Sequence, residues 1–221
     1  MTRVLVLRPE PGASTTVERA CSRGLDAIAV PLFEIEPIEW LAPETGSFDG
    51  LLLTSANAIG FGGKQLRKLR NLKVYAVGQA TAEAAHDAGF DIAATGEAGV
   101  DGLLASIDPD LKLLHLCGAN RREPRDAKQA ITTVIVYHSN EIETSDFPVT
   151  PDIVALIHSP RAGRRFAEVA GDRSEIRIAA ISTAAADAVG LGWKAVAVAD
   201  QPSDEGLLAL AARLCNKPDP E

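Results

Sequence analysis

The sequence predicts two similar α/β domains, each built on a parallel sheet, and two observations support this prediction. Short β-rich runs alternate with helical patterns along most of the 221 residues, which is typical of parallel strands joined by right-handed helical crossovers. In addition, three blocks of the sequence recur at one constant shift of 104 residues. A repeat of this length is too long for a solenoid unit and indicates two copies of one domain.

The repeat can be followed block by block. The segment GLLLTSANAIGF matches VALIHSPRAGRRF, which places Ser55 on Ser159. The segment VGQATAEAAHDAGF matches ISTAAADAVGLGW, with Gly78 on Ser182, and VDGLLASI matches DEGLLALA. A hydrophobic content of 46% supplies enough apolar surface for two modest cores.

The predicted strands are short β-rich runs. Two lie at the start, in RVLVLRP (3–9) and AIAVPLF (27–33), and two in the middle, in LKLLHLCG (111–118) and ITTVIVYHS (131–139). The others are Leu51–Leu53, Val74–Val77, Ile92–Ala94, Ile153–Ile157, Ile176–Ile181 and Ala195–Val198.

Helical patterns lie between these strands. The i, i+3, i+4, i+7 spacing of one buried helix face is present at Val100, Leu103, Leu104 and Ile107. The segment EPRDAKQA (123–130) leaves little room for a full helix. We therefore expect the copy that contains Ser55 to have a shortened connection there.

The chain must cross between the domains twice. The middle strand pair can complete the copy that contains Ser55, whereas only the N-terminal pair can complete the copy that contains Ser159. The crossings FEIEPIEW (33–40) and NEIETSDF (140–147) both alternate polar with apolar residues around Glu-Ile-Glu, which predicts an extended two-stranded linker. Two unrelated acidic loops are the alternative. The predicted first domain comprises residues 1–35 and 147–221, the second 41–139, and the linker strands 34–40 and 140–146.

Composition and charge exclude several classes of protein. A net charge of -8 and a pI near 5.1 argue against a nucleic-acid binder. The N-terminus is too weakly apolar for a signal peptide, and no run approaches the ~18 apolar residues of a membrane span, so we expect a cytoplasmic protein without a membrane partner. The three cysteines show no C-x-x-C spacing and the four histidines no metal-ligand spacing, so we expect reduced thiols, no metal and no cofactor. Phosphate-binding glycine motifs and a nucleophile elbow are also absent from the sequence.

Polar residues and glycines follow the predicted strands, where parallel α/β sheets bind ligands and helix N-termini attract anions. They are Arg8, Ser55, Asn57, Gly78, Gly118, Tyr137, Ser159 and Ser182. Simpler roles compete: the serines and Asn57 can cap helices, Gly78 can serve a tight turn, and Tyr137 can be a buried tyrosine with a satisfied hydroxyl.

Two arginine clusters also follow predicted strand ends. They are Arg121, Arg122 and Arg125, and Arg161, Arg164 and Arg165. A solvated charged face is the ordinary explanation, but their position in an acidic protein favours an anion-binding rim. We expect the strand ends of the two domains to face each other across a ligand cleft.

With these segments in place, the sequence resembles the uroporphyrinogen-III synthase family along nearly its whole length. The resemblance rests on the order and spacing of VLVLRP, LLLTSANAI, VYAVGQATAEAAHDAGF, LHLCGANRR, VIVYHS, IHSPRAGRRF and ADQPSDEGLLALA. It implies two flavodoxin-like domains joined by a two-stranded linker, and a cytosolic, monomeric enzyme without a cofactor. The implied substrate is hydroxymethylbilane, a linear tetrapyrrole with eight carboxylates, which loses water and closes with inversion of its last ring through a spirocyclic intermediate.

The resemblance also suggests roles for individual residues. Tyr137 matches the family tyrosine proposed to assist departure of the hydroxyl group, and Thr81 matches a threonine that lines the cleft. The predicted carboxylate-binding residues are Ser55, Asn57, Ser159, Ser182 and Thr183, with Arg8, Gly78, Gly118, Arg122 and Arg161 completing the predicted substrate site. The second copy departs from the family pattern, because Ser182, Ala184 and Ala185 replace a glycine and a threonine pair.

Three other functions compete with this interpretation. A two-lobed solute-binding protein would share the double crossing, but sparse aromatic residues and the missing signal peptide count against it. A family member that binds a tetrapyrrole or another small anion without turnover is suggested by Ala184 and Ala185. A flavin-binding or phospho-acceptor flavodoxin-like protein would need aromatic flavin-flanking loops or an acidic cluster at a strand end, and the sequence has neither.

Overall fold

A computed structural model describes residues 2–97, 99–121, 123–143 and 152–216. The chain divides into two units, the first formed by Met1–Glu34 with Glu141–Glu221 and the second by Ile35–Asn140. It therefore passes from one unit to the other twice. The limits predicted for the domains and the linker stay a prediction. Part of the predicted second linker strand, 140–146, lies outside the described residues.

Strands and helices alternate along the chain. The strands are β1 Arg3–Val6, β2 Asp26–Ala29, β3 Phe33–Pro37, β4 Gly50–Leu53, β5 Lys73–Val77, β6 Ile92–Gly96, β7 Lys112–Gly118, β8 Ala130–Glu141, β9 Ile153–Ile157, β10 Ile176–Ala180 and β11 Ala195–Val198. The α-helices are α1 Gly12–Cys21, α2 Asn57–Phe61, α3 Gln79–Asp87, α4 Gly99–Ser106, α5 Pro160–Val169, α6 Thr183–Asp187 and α7 Asp204–Cys215. Two 3₁₀ segments, Thr45–Ser47 and Gly63–Leu69, lie in the second unit.

Each unit is built on its own sheet. The first unit contains a parallel sheet in the order β11-β10-β9-β1-β2. The second contains the order β3-β8-β7-β4-β5-β6. All of its strands except β3 run parallel to one another. Under the 104-residue shift β4, β5 and β6 correspond to β9, β10 and β11, so the sheets share one strand order, with β1 and β2 in the places of β7 and β8. This confirms the predicted α/β fold and the completion of the second copy by the N-terminal strands.

The central strands are apolar because helices and loops cover both faces of each sheet. All five residues of β9 are buried, and the three leucines of β4 have no exposed surface. Alternate strand residues point to opposite faces, so Leu52 packs with Leu103 and Leu104 of α4, whereas Leu51 and Leu53 belong to a separate cluster. The predicted apolar face of α4 is thus confirmed.

The strands that join the units are paired. Ile142 N donates to Leu32 O at 3.0 Å, and Ile38 N donates to Val136 O at 3.0 Å. Because one residue number rises as the other falls, β3 runs antiparallel to β8. β8 is twelve residues long, so a single strand completes the second sheet and also forms one side of the connection.

The connection from β7 to β8 is short, as predicted. Within the described part of residues 119–129 there is no helix. Instead the buried Gln129 side chain donates to the carbonyl oxygens of Leu104, at 2.9 Å, and Asp108, at 3.0 Å. One side chain therefore satisfies backbone groups at the end of α4. Across the described ranges, no helix is long and apolar enough to cross a membrane.

Candidate functional site

A cavity of about 420 Å³ lies at the carboxyl ends of β4, β5 and β7 in the second unit. Its walls comprise Thr54 and Ser55 after β4, Val77 at the end of β5, Gly118 and Tyr137 on β7 and β8, Asn120 and Arg121 in the following loop, and Gly99, Val100 and Asp101 at the start of α4. This is the edge at which parallel α/β sheets bind ligands. Of the predicted site residues, the structure brings Ser55, Gly118 and Tyr137 together here.

Gly118 makes room for the ring of Tyr137. The two residues are paired across β7 and β8, at a register shift after Cys117. A Cβ atom at position 118 would lie 2.7 Å from Cζ and 3.0 Å from the hydroxyl oxygen of Tyr137. Any side chain at 118 would therefore displace the phenol from the wall of the cavity.

The Tyr137 hydroxyl lies in a partly buried, hydrogen-bonded environment. Burial raises the pKa of the phenol above its ordinary value, and hydrogen bonds with Ser55, with the Gly118 backbone and with Asn57 act in the opposite direction without cancelling it. The ring also packs beside Phe61, with centroids 6.3 Å apart. Tyr137 therefore keeps its proton at neutral pH and is available as a donor.

Ser55 and Asn57 belong to one turn at the start of α2. The Ser55 hydroxyl oxygen accepts the backbone N–H of Asn57 at 3.2 Å. This bond stabilises the turn but does not cap the helix, because the N-cap of α2 is Ala56 and has no side-chain cap; the capping role considered for Ser55 and Asn57 is thus wrong. The side chains of Ser55 and Asn57 also reach Tyr137. The same two residues therefore stabilise the turn before α2 and contribute to the environment of Tyr137.

Gly78 and Thr81 lie at the junction of β5 and α3, next to Val77. Gly78 has φ +83° and precedes the helix, so the turn role proposed for it is confirmed. The Thr81 backbone N–H donates to Gly78 O at 3.1 Å, and its side chain is buried. Arg122, the remaining predicted residue of this unit, lies outside the described residues.

Ser159, Ser182 and Arg161, three of the predicted residues of the first unit, have partners within that unit. Ser159 caps α5 by accepting the Ala162 N–H at 3.1 Å, and Ser182 caps α6 by accepting the Ala185 N–H at 3.3 Å. Thr183, the first residue of α6, is exposed. The Arg161 guanidinium lies 4.1 Å from the centre of the Phe33 ring and 3.9 Å from a carboxylate oxygen of Glu141.

Arg8 belongs to a cluster around Asp204 that was not expected from the sequence. Asp204 accepts from Thr16 at 2.8 Å, lies 3.2 Å from His158 Nε2, and pairs with Arg8 at 3.6 Å and Arg19 at 3.3 Å. Burial alone would raise the pKa of this carboxyl, but the hydrogen bonds from His158 and Thr16, with the nearby Arg8, hold it at about 2. Asp204 is therefore a carboxylate at any physiological pH.

Several residues of the cavity wall are not among the individually predicted site residues. Thr54 directly precedes Ser55. Asp101 lies in the first turn of α4, where its carboxylate accepts the Arg125 backbone N–H at 2.9 Å. Arg121, from the predicted arginine rim, lines the cavity and pairs with Glu123. A polar residue following a central strand is the signal that could have identified Thr54.

The arrangement can bind an anion and deliver a proton. Hydroxyls of Thr54 and Ser55, the Asn120 amide and the Arg121 guanidinium are donors for carboxylate oxygens. The protonated phenol of Tyr137 can donate to a leaving oxygen. Such a site suits a reaction that expels water from a carboxylate-bearing substrate.

Comparison with known proteins gives the family. The family model of uroporphyrinogen-III synthase HemD matches residues 14–209. No curated protein matches the chain.

Two solved structures show the same fold. Uroporphyrinogen-III synthetase from Helicobacter pylori 26695 is 17% identical, with 97% of this chain and 100% of that chain covered and a TM-score of 0.67. A mutant uroporphyrinogen III synthase from the extremely thermophilic bacterium Thermus thermophilus is 13% identical, with 97% and 98% covered and a TM-score of 0.50. At these identities the structural likeness concerns the fold alone, whereas the family model spans most of the chain. The chain belongs to the uroporphyrinogen-III synthase family.

Proposed function

We propose that the protein is a uroporphyrinogen-III synthase, which cyclises hydroxymethylbilane with loss of water and inversion of its last pyrrole ring, ring D, in tetrapyrrole (haem) biosynthesis. The match of the family model to residues 14–209 is the observation that carries the proposal. The cavity at the carboxyl edge of the second sheet, with a protonated tyrosine in its wall, is consistent with this chemistry.

The charge of the protein constrains how such a substrate binds. The chain has a net charge of -8, so its long-range field repels a substrate with eight carboxylates. Binding must depend on local donors, which the strand ends supply as hydroxyls, backbone N–H groups and a few guanidinium groups. We assign this role to Ser55, Asn57, Gly78, Thr81, Gly118 and Arg122 in the second unit, and to Arg8, Ser159, Arg161, Ser182 and Thr183 in the first.

A serine that caps a helix can still bind a carboxylate. Its oxygen accepts the helix N–H, and its hydroxyl proton remains to be donated. Ser159 and Ser182 therefore combine both roles in this proposal. Arg8 and Arg161 already lie near Asp204 and Glu141, and a substrate carboxylate would share or displace those partners.

Tyr137 is the catalytic residue of the proposal. Its phenol donates a proton to the terminal hydroxyl group, the carbon–oxygen bond breaks, and water leaves with both electrons of that bond. The resulting cation on the first ring is attacked by ring D, and the spirocyclic intermediate opens and closes again with ring D inverted. The carbon proton lost at closure restores the phenol, so the overall change is loss of one water.

Most of the remaining catalysis is positional. Closure without inversion is an available side reaction, and the cation reacts readily with water. The site must hold both ends of the chain in one geometry and exclude water. We propose a monomeric, cytoplasmic enzyme that needs no cofactor and binds neither nucleic acid nor membrane.

Tyr137→Phe tests this function together with the role of the phenol. With hydroxymethylbilane as substrate, the variant should form the type III isomer about 10²-fold more slowly than the wild type, because the general acid is lost. Cys117→Ala, which removes a neighbouring buried thiol, and His86→Ala, which removes an exposed imidazole, should stay within a few-fold of the wild type. Equal losses in all three variants would remove Tyr137 from its role.

A further inference from the structure

His115 is a buried polar residue next to the cavity that the proposed reaction does not use. It lies in the middle of β7 with no exposed surface. Its Nε2 atom is 3.1 Å from Oγ1 of Thr54, which lines the cavity. The imidazole therefore contacts a hydroxyl of the cavity wall without lining the cavity itself.

The charge state of His115 follows from its surroundings. Burial lowers its pKa to about 4, and the neighbouring Arg121 acts in the same direction. His115 is therefore a neutral imidazole at neutral pH, with a proton on one nitrogen and a lone pair on the other.

The position of that proton decides what Thr54 can do. Nδ1 is buried and has no hydrogen-bond partner among the residues that the structure describes. A proton on Nδ1 would leave a buried N–H unpaired, which is rarer in proteins than an under-used acceptor. A proton on Nε2 instead forms a hydrogen bond to Thr54 Oγ1. Nδ1 then keeps its lone pair, and the ring is close enough to Arg121 for the positive charge to act on it.

We propose that His115 is a positioning residue that donates from Nε2 to the Thr54 oxygen and so directs the Thr54 hydroxyl proton into the cavity, toward one substrate carboxylate. The inference rests on the proposed function, because it supplies the substrate. An unconstrained threonine hydroxyl can present either its proton or its lone pairs. Because the protonated Nε2 cannot accept a hydrogen bond, the Thr54 hydroxyl proton is not used on the imidazole and stays available for an anion in the cavity.

A double-mutant cycle tests whether His115 acts through Thr54. The variants are His115→Leu, Thr54→Val and the double variant, and the probe is uroporphyrin III, the stable oxidised form of the proposed product with the same eight carboxylates. Each single variant should raise the Kd about ten-fold, the scale of one hydrogen bond to a charged group. His115→Leu should have no further effect in the Thr54→Val background. Equal effects of His115→Leu in both backgrounds, or no effect in either, would overturn the proposal.

Two further measurements separate positioning from a general loss of structure. The nitrogen chemical shifts of His115 in the full-length wild-type protein should show a protonated Nε2 and a bare Nδ1, and a protonated Nδ1 would overturn the proposal. His115→Leu should raise KM for hydroxymethylbilane while changing kcat less than two-fold, whereas misfolding would lower the amount of active enzyme. His86→Leu, at an exposed position, is the matched control and should leave Kd unchanged.

The proposal and the assigned function fail in different ways. A wild-type protein that binds uroporphyrin III but forms no type III isomer would contradict the function, and the cycle on Kd would still report on His115. A wild-type enzyme that forms the type III isomer but shows additive variants would contradict only the role of His115.

Discussion

Thr54 and His158 occupy equivalent positions in the two copies of the repeat, directly before Ser55 and Ser159, yet they belong to different environments. Thr54 lines the cavity of the second unit. His158 lies 3.2 Å from the Asp204 carboxylate, which also binds Thr16. The same strand end thus faces a cavity in one unit and is satisfied by the protein's own carboxylate in the other.

The carboxylate of Asp204 should stabilise the fold in a pH-dependent way. Its pKa in the folded protein is about 2, below the usual 3.8, so its contribution is fully present above pH ~4 and is lost as the pH falls through about 2. Asp204→Asn should lower the free energy of unfolding by roughly 2 kcal/mol at pH 7. Urea unfolding should show this difference shrinking between pH ~5 and ~2.

Asp200→Asn is the matched control for Asp204. The Asp200 side chain is 76% exposed and pairs with Arg213 at 2.8 Å, and exposed pairs contribute little to stability. Its removal should hardly change the unfolding curve at any pH. A loss at Asp204 that is the same at low and neutral pH would contradict the electrostatic explanation.

The two units begin their helices differently. In the first unit the α5, α6 and α7 helices each follow a serine whose side chain accepts a backbone N–H of the first turn. In the second unit α2 and α3 have no side-chain cap, and Gly78 stands where the repeat has Ser182. The start of α3 is therefore defined by backbone conformation, which makes it depend on a glycine.

Gly78→Ala should destabilise the protein by about 1–3 kcal/mol, because φ +83° with ψ 146° is a conformation that essentially only glycine adopts. A Cβ atom there would have no neighbour within 4 Å, so the cost comes from the backbone and not from a clash. Thermal and urea unfolding measure the loss.

Gly60→Ala controls for the gain of a methyl group. A Cβ at Gly60, inside α2, would also meet nothing within 4 Å, and its φ is not positive. This variant should be neutral or more stable by up to about 1 kcal/mol. Equal losses at Gly60 and Gly78 would show that the conformation of Gly78 is not the cause.

At the scale of the whole molecule, the repeat explains the order of both sheets. β9, β10 and β11 repeat β4, β5 and β6, and each set is completed by a strand pair from elsewhere in the chain. The shift and the central strands were predictable because buried parallel strands are continuous apolar runs that are easily recognised. The order of the strands within each sheet was not predicted and comes from the structure. The family resemblance is confirmed by the match over residues 14–209.

The site was predictable only in part. Ser55, Gly118 and Tyr137 were predicted because polar residues and glycines at strand ends are visible in sequence, and the structure places all three in the wall of one cavity. The cluster around Asp204 was not, because Thr16, His158 and Asp204 are distant in sequence and meet only through packing. The same holds for His115, whose role depends on which residue its ring contacts across two strands.

The most direct test of the central claim is the isomer composition of the product. Hydroxymethylbilane is generated in the presence of the full-length protein with no added metal or nucleotide, and the type I and type III products are separated by chromatography. We predict a dominant type III product whose yield rises with the amount of protein and exceeds that of the uncatalysed reaction. Type I alone, from protein shown to be folded, would contradict the assignment as a uroporphyrinogen-III synthase.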